Sequence, residues 1–180
     1  PIASLSESLD ALLRTGGHME EVAAALEAIR RRSLGLMRFV ERYRKVAELP
    51  EPLLQPLPLK GVLEGVERLL APALVQGQVA YTSTVSPPDL IVRADADLLE
   101  QALINLLRNA AEAVSGQPGG RIEVVCGADA GSCFIDVIDN GPGLTPEARE
   151  QMFVPFFTTK AGGSGVGLSH ARRIALRHGG

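Results

Sequence analysis

The chain has no tryptophan, and its aromatic residues together make up only 4% of 180 positions. A pocket for a flat base would therefore be walled by aliphatic side chains and glycine, not by stacked rings. Cysteine is scarce too. Cys126 and Cys133 fall in what read as adjacent strands, which would allow a cross-strand disulfide. Two cysteines in a chain with ample core better fit a reducing compartment, where they act as small buried apolar residues. No zinc-ligand spacing is present. Neither sign of charge dominates: 18 basic and 21 acidic residues leave a formal net charge of −3. That argues against nucleic acid or an anionic membrane as the main partner. The run Arg30-Arg31-Arg32 sits inside a helical pattern and reads as a solvated face. No apolar stretch approaches the roughly 20 residues of a membrane span, and no secretory signal opens the chain. A cytoplasmic location is expected, with no membrane contact from this segment; an inner-membrane anchor elsewhere in the parent protein stays open. The chain begins at Pro1 within a helical pattern and ends at Gly179-Gly180 directly after another. Both ends are expected to be cuts in a longer protein.

What is present is a core-forming composition, 46% apolar and 22% charged, arranged in two blocks. Residues 1–49 read as a helical hairpin. Ile2, Leu5, Leu9 and Leu12 are spaced for one helix, and Thr15-Gly16-Gly17-His18 breaks it. Val22, Leu26, Ile29, Leu36, Val40, Tyr43 and Ala47 then follow a 4-3 repeat, with Ser33 in its one polar slot. That period of 3.5 is a bundle or coiled-coil seam. The second helix, about 28 residues, would be roughly 42 Å long at about 1.5 Å per residue. One hairpin cannot bury such a seam, so pairing with a second copy into a four-helix bundle is expected.

Residues 50–58 hold Pro50, Pro52, Pro56 and Pro58. Proline at that density excludes helix and favours an extended linker, merging into an edge strand. Residues 59–180 mix strands and helices. The pattern predicts helices over 60–72, 95–115 and from Val166. It predicts strands over 78–85 and 90–93, and a hairpin of 121–127 with 133–139. The fold class is α+β: a helical hairpin, then an α/β sandwich whose mixed sheet packs on helices.

Three segments of the second block carry chemistry. In the long helix, Asn105 and Asn109 are four apart and share a face with Glu112. Asparagine is worse than alanine in a helix by roughly 0.7 kcal/mol, and no cap or turn justifies the pair here. The second segment, Asp139-Asn140-Gly141-Pro142-Gly143, follows an apolar strand. Its glycines permit positive φ and close backbone approach, and the Asp139 carboxylate can accept from an exocyclic amine. The third runs Pro155-Phe156-Phe157-Thr158-Thr159-Lys160-Ala161-Gly162-Gly163-Ser164-Gly165-Val166-Gly167-Leu168 into a helix. Glycines at a helix start leave backbone N–H groups open to an anion, and Lys160 adds a cation. The G-x-G-x-G spacing is neither a Walker loop nor a dinucleotide fingerprint.

Together these segments resemble the ATP-binding domain of sensor histidine kinases, a Bergerat-type fold shared with gyrase-type topoisomerases, Hsp90-type chaperones and mismatch-repair ATPases. Asn105 to Ala110 looks like the N box of that family, Asp139 to Gly143 the G1 box, Phe153 to Phe157 the F box and Gly163 to Gly167 the G2 box. The resemblance covers residues 57–180. It implies that Asn109 holds the Mg²⁺ bridging the ATP phosphates and that Asp139 binds the adenine amine. It further implies ATP contacts from Asn105, Glu112, Ala113, Gly141, Gly143, Leu144 and Phe156. The lid would add Thr158, Thr159, Lys160, Gly163, Ser164, Gly165, Val166, Gly167 and Leu168. Asn105, Asn109 and Lys160 would be the catalytic set.

Hydrolysing members of that superfamily carry a water-activating Glu four residues before the metal-binding Asn. Here that position is Asn105, and an amide is no general base. Glu100 is a turn further back, off that face. Transfer to a neutral imidazole, which needs no base, is favoured over hydrolysis. The hairpin resembles the dimerisation and phosphotransfer domain of these kinases. Its acceptor motif, His followed by an acid, is absent: His18 precedes Met19, His170 precedes Ala171 and His178 precedes Gly179. His170 and His178 read as surface residues. Pro1 to Leu5 looks like the stretch just after the acceptor in the nitrogen-sensor-like subgroup, so the acceptor is expected upstream of Pro1. The resemblance implies a homodimer through the N-terminal helices and a response-regulator receiver domain as partner. A degenerate kinase serving as a scaffold, and an ATP-hydrolysing relative, are the alternatives.

Overall fold

The computed structural model of the chain describes residues 7, 10, 11, 14, 19–47, 49–129, 131–160 and 163–180. It divides into two units, Pro1–Glu48 and Leu49–Gly180. The expected hairpin loop at 15–18, with His18, and most of the helix before it lie outside the described residues.

In the first unit helix α1 runs Met19–Ala47. Glu20 and Glu21 occupy its first turn, where carboxylates complement the helix dipole. Along its heptad seam Leu26, Leu36 and Val40 each keep more than half of their surface exposed. These large apolar side chains stand open along one line of the helix. Among the described residues no helix is long and apolar enough to cross a membrane.

The second unit has strands β1 (Gln55–Pro58), β2 (Ala80–Ser86), β3 (Ile91–Ala94), β4 (Arg121–Asp129) and β5 (Ser132–Asp139). Its helices are α2 (Leu59–Gln76), α3 (Ala96–Val114), α4 (Pro146–Gln151) and α5 (Gly167–Arg177). The proline-rich segment does end in an edge strand: β1 pairs antiparallel with β3, from Gln55↔Ala94 to Pro58↔Ile91. The main sheet has the order β2-β4-β5. β2 runs parallel to β4, and β5 antiparallel, with Val124 opposite both Ser83 and Val137.

Helix α2 outruns the expected end at residue 72 and continues through Pro72 to Gln76. The reason is its apolar row. Leu59, Leu63, Val66, Leu70 and Leu74 are all buried, and stopping at Pro72 would take Leu74 out of the core. Pro72 itself stands on the exposed side, where the carbonyl that loses its N–H partner can turn to water. Gln78, expected at the head of a strand, instead turns the chain at φ 53°.

The core joins that row to Leu103, Leu107, Ala110 and Val114 of α3 and to Ile122, Val124 and Cys126 of β4. Each such side chain, fully buried, is worth about 1.5–3 kcal/mol. On the outer sheet face Gly127 makes room for the Phe134 ring, which lies where a Cβ would be. Both cysteines are free thiols. Cys126 is buried as expected and Cys133 is not: it sits next to the turn of the hairpin, opposite Ala128. Burial, helped by the nearby Cys133, pushes the Cys126 thiol up to about 11, which leaves it inert.

A second, smaller core holds α3 against α5: Leu49, Leu98, Ala102, Ala171 and Ile174, with Leu106 packed beside them. Asp95 organises its edge. Its side chain caps α3 by accepting from Leu98 N–H at 3.1 Å and also accepts from Leu53 N–H at 2.9 Å. Those two donors hold its carboxyl below the usual range, Leu53 contributing most. The Asp95 N–H donates to His178 Nε2 at 3.0 Å, and Arg177 pairs with Glu51. The short stretch from Leu49 to Leu53 is thus clasped by the start of α3 and the end of α5.

Candidate functional site

One row of α3 does two jobs. Leu98, Ala102, Asn105, Asn109 and Glu112 are spaced 4-3-4-3, so they lie along a single face. Its first half is apolar and packs on α5. Its second half is polar, and the switch comes where α5 begins. The Cβ position of Gly167, the first residue of α5, is 3.6 Å from Asn105 Oδ1. Helix α5 therefore starts against the first asparagine and leaves the rest of the row open.

That opening is a cleft of about 310 Å³. It is lined by Asn105, Arg108, Asn109 and Glu112 from α3, and by Met152 and Phe157 from the segment after α4. Lys160, Gly163, Ser164, Gly165, Gly167 and Leu168 complete it. No side chain caps α5 at Val166, which leaves the N–H groups of its first turn open where Gly167 and Leu168 line the cleft. Such a helix start, with two cations nearby, is a site for a multiply charged anion.

The glycine-rich wall is shaped by close contact. Gly165 has φ +64°, and a Cβ there would overlap the Phe156 backbone. Phe156 N–H donates to Gly165 O at 2.7 Å, and Phe156 itself adopts φ 70°. The two segments lock as a pair of left-handed residues. Lys160 is fixed through its main chain: its N–H donates to Thr158 Oγ1 and its carbonyl accepts from Gly163 N–H, both at 3.1 Å. Its ammonium reaches Glu112 at 2.6 Å.

Of the expected residues, Asn105, Asn109, Glu112, Lys160, Gly163, Ser164, Gly165, Gly167 and Leu168 line this cleft. Ala113, Asp139 and Gly141 form a cluster beside it. A Cβ on Gly141 would come within 2.8 Å of Asp139 Oδ1 and 3.0 Å of Ala113 Cβ, and Gly141 N–H donates to that same oxygen at 2.9 Å. Gly143 turns the chain at φ +75°, and Leu144 is exposed. Phe156, Thr158 and Val166 shape the wall through their backbone contacts, hydroxyl and helix-capping place; Thr159 lies exposed between them.

Arg108, Met152 and Phe157 line the cleft without having been singled out. Arg108 stands between the two asparagines and was readable as part of their face. Phe157 was visible as one of two adjacent aromatics. Met152 had no signal in the sequence. Asn140 proves to be a brace. Its Oδ1 accepts from Arg121 N–H at 2.7 Å and its Nδ2 donates to Gly119 O at 3.0 Å, tying the end of β5 to the loop before β4.

The expectation that His170 and His178 are surface residues is corrected. His170 is buried at 6% exposure with Nε2 unpartnered, because its ring lies on the inner side of α5 next to Ala171. Burial, then the charge of Arg173, pushes its pKa down. His178 is half-buried, with Nδ1 2.8 Å from Ile174 O and Nε2 taken by Asp95.

Comparison with known proteins gives the same picture. The family described as histidine kinase-, DNA gyrase B- and HSP90-like ATPase matches residues 94–180. The C4-dicarboxylate transport sensor protein DctB of Rhizobium meliloti is 34% identical over 163 residues, 91% of this chain and 25% of that protein. The nitrogen regulation protein NtrY of Azorhizobium caulinodans is 34% identical over 148 residues, 79% of this chain and 19% of that protein. The chain thus spans a quarter or less of the length of these curated relatives. Among solved structures, the nucleotide-free catalytic domain of histidine kinase ThkA superposes with TM-score 0.62 at 31% identity, over 67% of this chain and 78% of that one. Full-length ShkA in complex with AMPPNP superposes with TM-score 0.68 at 28% identity, over 89% of this chain and 34% of that one. With its mixed α+β fold, its cleft and a match over most of a solved kinase catalytic domain, this chain belongs to the sensor histidine kinase family.

Proposed function

We propose that the cleft binds Mg·ATP and that the parent protein transfers the γ-phosphoryl group to a histidine, for relay to a response-regulator aspartate. The observation that carries this reading is the meeting of the α3 row with the uncapped start of α5. Amide side chains and open N–H groups converge there, with Lys160 and Arg108 at the rim. The phosphates lie at the N-terminus of α5, where each dipole or N–H contribution is worth about 0.3–1 kcal/mol and several act together. The base lies in the Asp139–Gly141–Ala113 cluster, with the Asp139 carboxylate accepting from its amine. Thr158 to Lys160 and Gly163 to Leu168 would cover the phosphates.

The row suits Mg²⁺. It offers an oxygen donor from Asn109, with the Asn105 amide one turn before it. Among the described residues there is no cluster of three or more His, Cys, Asp or Glu, in keeping with an ion that arrives on the nucleotide and takes few protein ligands. When bound it neutralises phosphate charge. Asn109 would hold it, Lys160 and the α5 N–H groups would hold the phosphate oxygens, and Asn105 lies against the start of α5.

Transfer, not hydrolysis, follows from the residues present. Asn105, which stands where the resemblance places a water-activating Glu, cannot take a proton from water. A neutral imidazole nitrogen attacks phosphorus directly; its N–P bond forms as the bond to the ADP oxygen breaks. The acceptor is neither His170, which is buried, nor His178, whose ring nitrogens are both engaged. His18 precedes Met19 and lacks the acid of the acceptor motif, so the acceptor is assigned to the part of the parent protein before Pro1; the first unit serves as the dimerisation and phosphotransfer hairpin, and the proline-rich segment leads from it into β1 of the ATP-binding domain. The open seam of α1 supports pairing with a second copy.

The test uses γ-labelled ATP on this chain and on one extended upstream by about 20 residues. Label is expected on the long chain alone. Label on the short chain would overturn the assignment of the acceptor, and none on either would overturn kinase activity. Steady release of free phosphate would favour the hydrolase reading instead. Negligible nucleotide binding, unchanged in Asn109→Ala, would favour a scaffold.

A further inference from the structure

The ion pair between Lys160 and Glu112 joins positions 48 residues apart at 2.6 Å. It crosses the mouth of the cleft from the glycine-rich wall to α3. Neither partner is there by accident of a floppy side chain. Glu112 is the next member of the α3 row after Asn109, and Lys160 is held at both its N–H and its carbonyl, by Thr158 and Gly163. Yet the pair is not buried. The side chains of Lys160 and Glu112 keep 43% and 50% of their surface. An ion pair this wet opens readily, whereas a buried one would resist separation. Both residues line the same cleft as Gly167 and Leu168 at the start of α5.

We propose that Glu112 is the resting counter-ion of Lys160, and that an incoming triphosphate takes the lysine from it. Glu112 then acts as a positioning residue, not a nucleotide ligand. It keeps the lysine aimed across an empty cleft and sets how much affinity the lysine can deliver. This inference rests on the nucleotide-site reading above.

The consequence is a sign opposite to that of a ligand. Glu112→Gln keeps the size and a hydrogen-bonding head but releases the lysine, so triphosphate binding tightens. An exposed pair sets the scale at about three-fold. The gain must pass through Lys160 and through phosphate. It vanishes in a Lys160→Met background, and it is absent for adenosine.

Calorimetric titration of Mg·AMPPNP and of adenosine into wild type, Glu112→Gln, Lys160→Met and the double variant tests this. Thermal midpoints confirm that each variant is folded. Tightening in Glu112→Gln that is lost in the double variant supports the proposal. Equal tightening in both backgrounds would mean that Glu112 merely repels phosphate, and unchanged or weaker binding would mean that it is a ligand or a bystander; each overturns the proposal. Wild type that binds no Mg·AMPPNP would instead remove the nucleotide-site reading itself, and this inference with it.

Discussion

Asn105 and Asn109 stand on a helix whose opposite stripe, from Leu103 to Val114, is buried to 4% exposure or less. Across the cleft, none of the described residues from Phe156 to Gly165 belongs to either core. That wall is held by the Phe156–Gly165 lock, by the Thr158 and Gly163 bonds around Lys160, and by the reach of Lys160 to Glu112. One wall is positioned by core packing and the other by backbone fit. Damage to the first should therefore cost stability and binding together, while damage to the second should cost binding of phosphate with little loss of stability.

The sharpest way to break that contrast is Leu107→Ala. Leu107 is 1% exposed behind the asparagines, so its truncation should destabilise the second unit by about 2–5 kcal/mol, with nucleotide affinity falling as the row shifts. Denaturant unfolding that moved by less than about 1 kcal/mol would show that the core does not hold this wall. Gly165→Ala attacks the other side. Positive φ costs a non-glycine residue about 1–2 kcal/mol, and its methyl would meet Phe156. Affinity for Mg·AMPPNP should fall by about ten-fold or more while adenosine binding stays within two-fold. Equal losses for both ligands would mean that this wall also shapes the base site.

Two smaller effects ask whether α5 belongs with the core-held wall. Asp95→Ala removes the carboxylate that caps α3 and holds Leu53 but keeps the N–H that donates to His178 at the end of α5; the loss should be about 1 kcal/mol at neutral pH. Because the folded carboxyl titrates below its unfolded value of about 3.9, its contribution is fully present above that value and declines as pH falls through the folded one. The wild-type and variant stability curves should therefore converge below about pH 4. His170 works in the other range. Its folded pKa is lowered, so the unfolded chain binds a proton first, and stability declines as pH falls below about 6.5. His170→Leu should flatten that decline and change stability at pH 8 by less than about 1 kcal/mol. A slope between pH 5 and 6.5 that survived the substitution would assign it to another group.

The same contrast explains what could be read in advance. The α3 wall was legible because burial writes itself as periodicity: the apolar stripe and the paired asparagines are visible at spacings of three and four. The α2 row was legible too, but its end was not, since Pro72 is a stop signal that Leu74 overrides through tertiary packing. The glycine-rich wall was visible only as a motif. That Gly165 packs on Phe156, and that Lys160 finds Glu112, depends on segments brought together by the fold, and no local spacing encodes it. Asn140 was lost within its motif because a brace and a ligand are the same residue type in a one-dimensional reading. His170 was misplaced because one polar residue on a short helix of mixed pattern says little about which side faces in.

The clasp at the start of the second unit has a mechanical side. Chain tension or twist arriving at Leu49 is passed to Ala171 and Ile174, through the small core, and to Arg177 through Glu51. The same small core includes Leu98 and Ala102, so α3 and α5 share the load. Helix α5 is a rod of 11 residues, roughly 16 Å long at about 1.5 Å per residue. Its far end is Gly167, against Asn105. A small rotation delivered at one end of that lever would be expressed at the other as a change in how its N–H groups face the cleft.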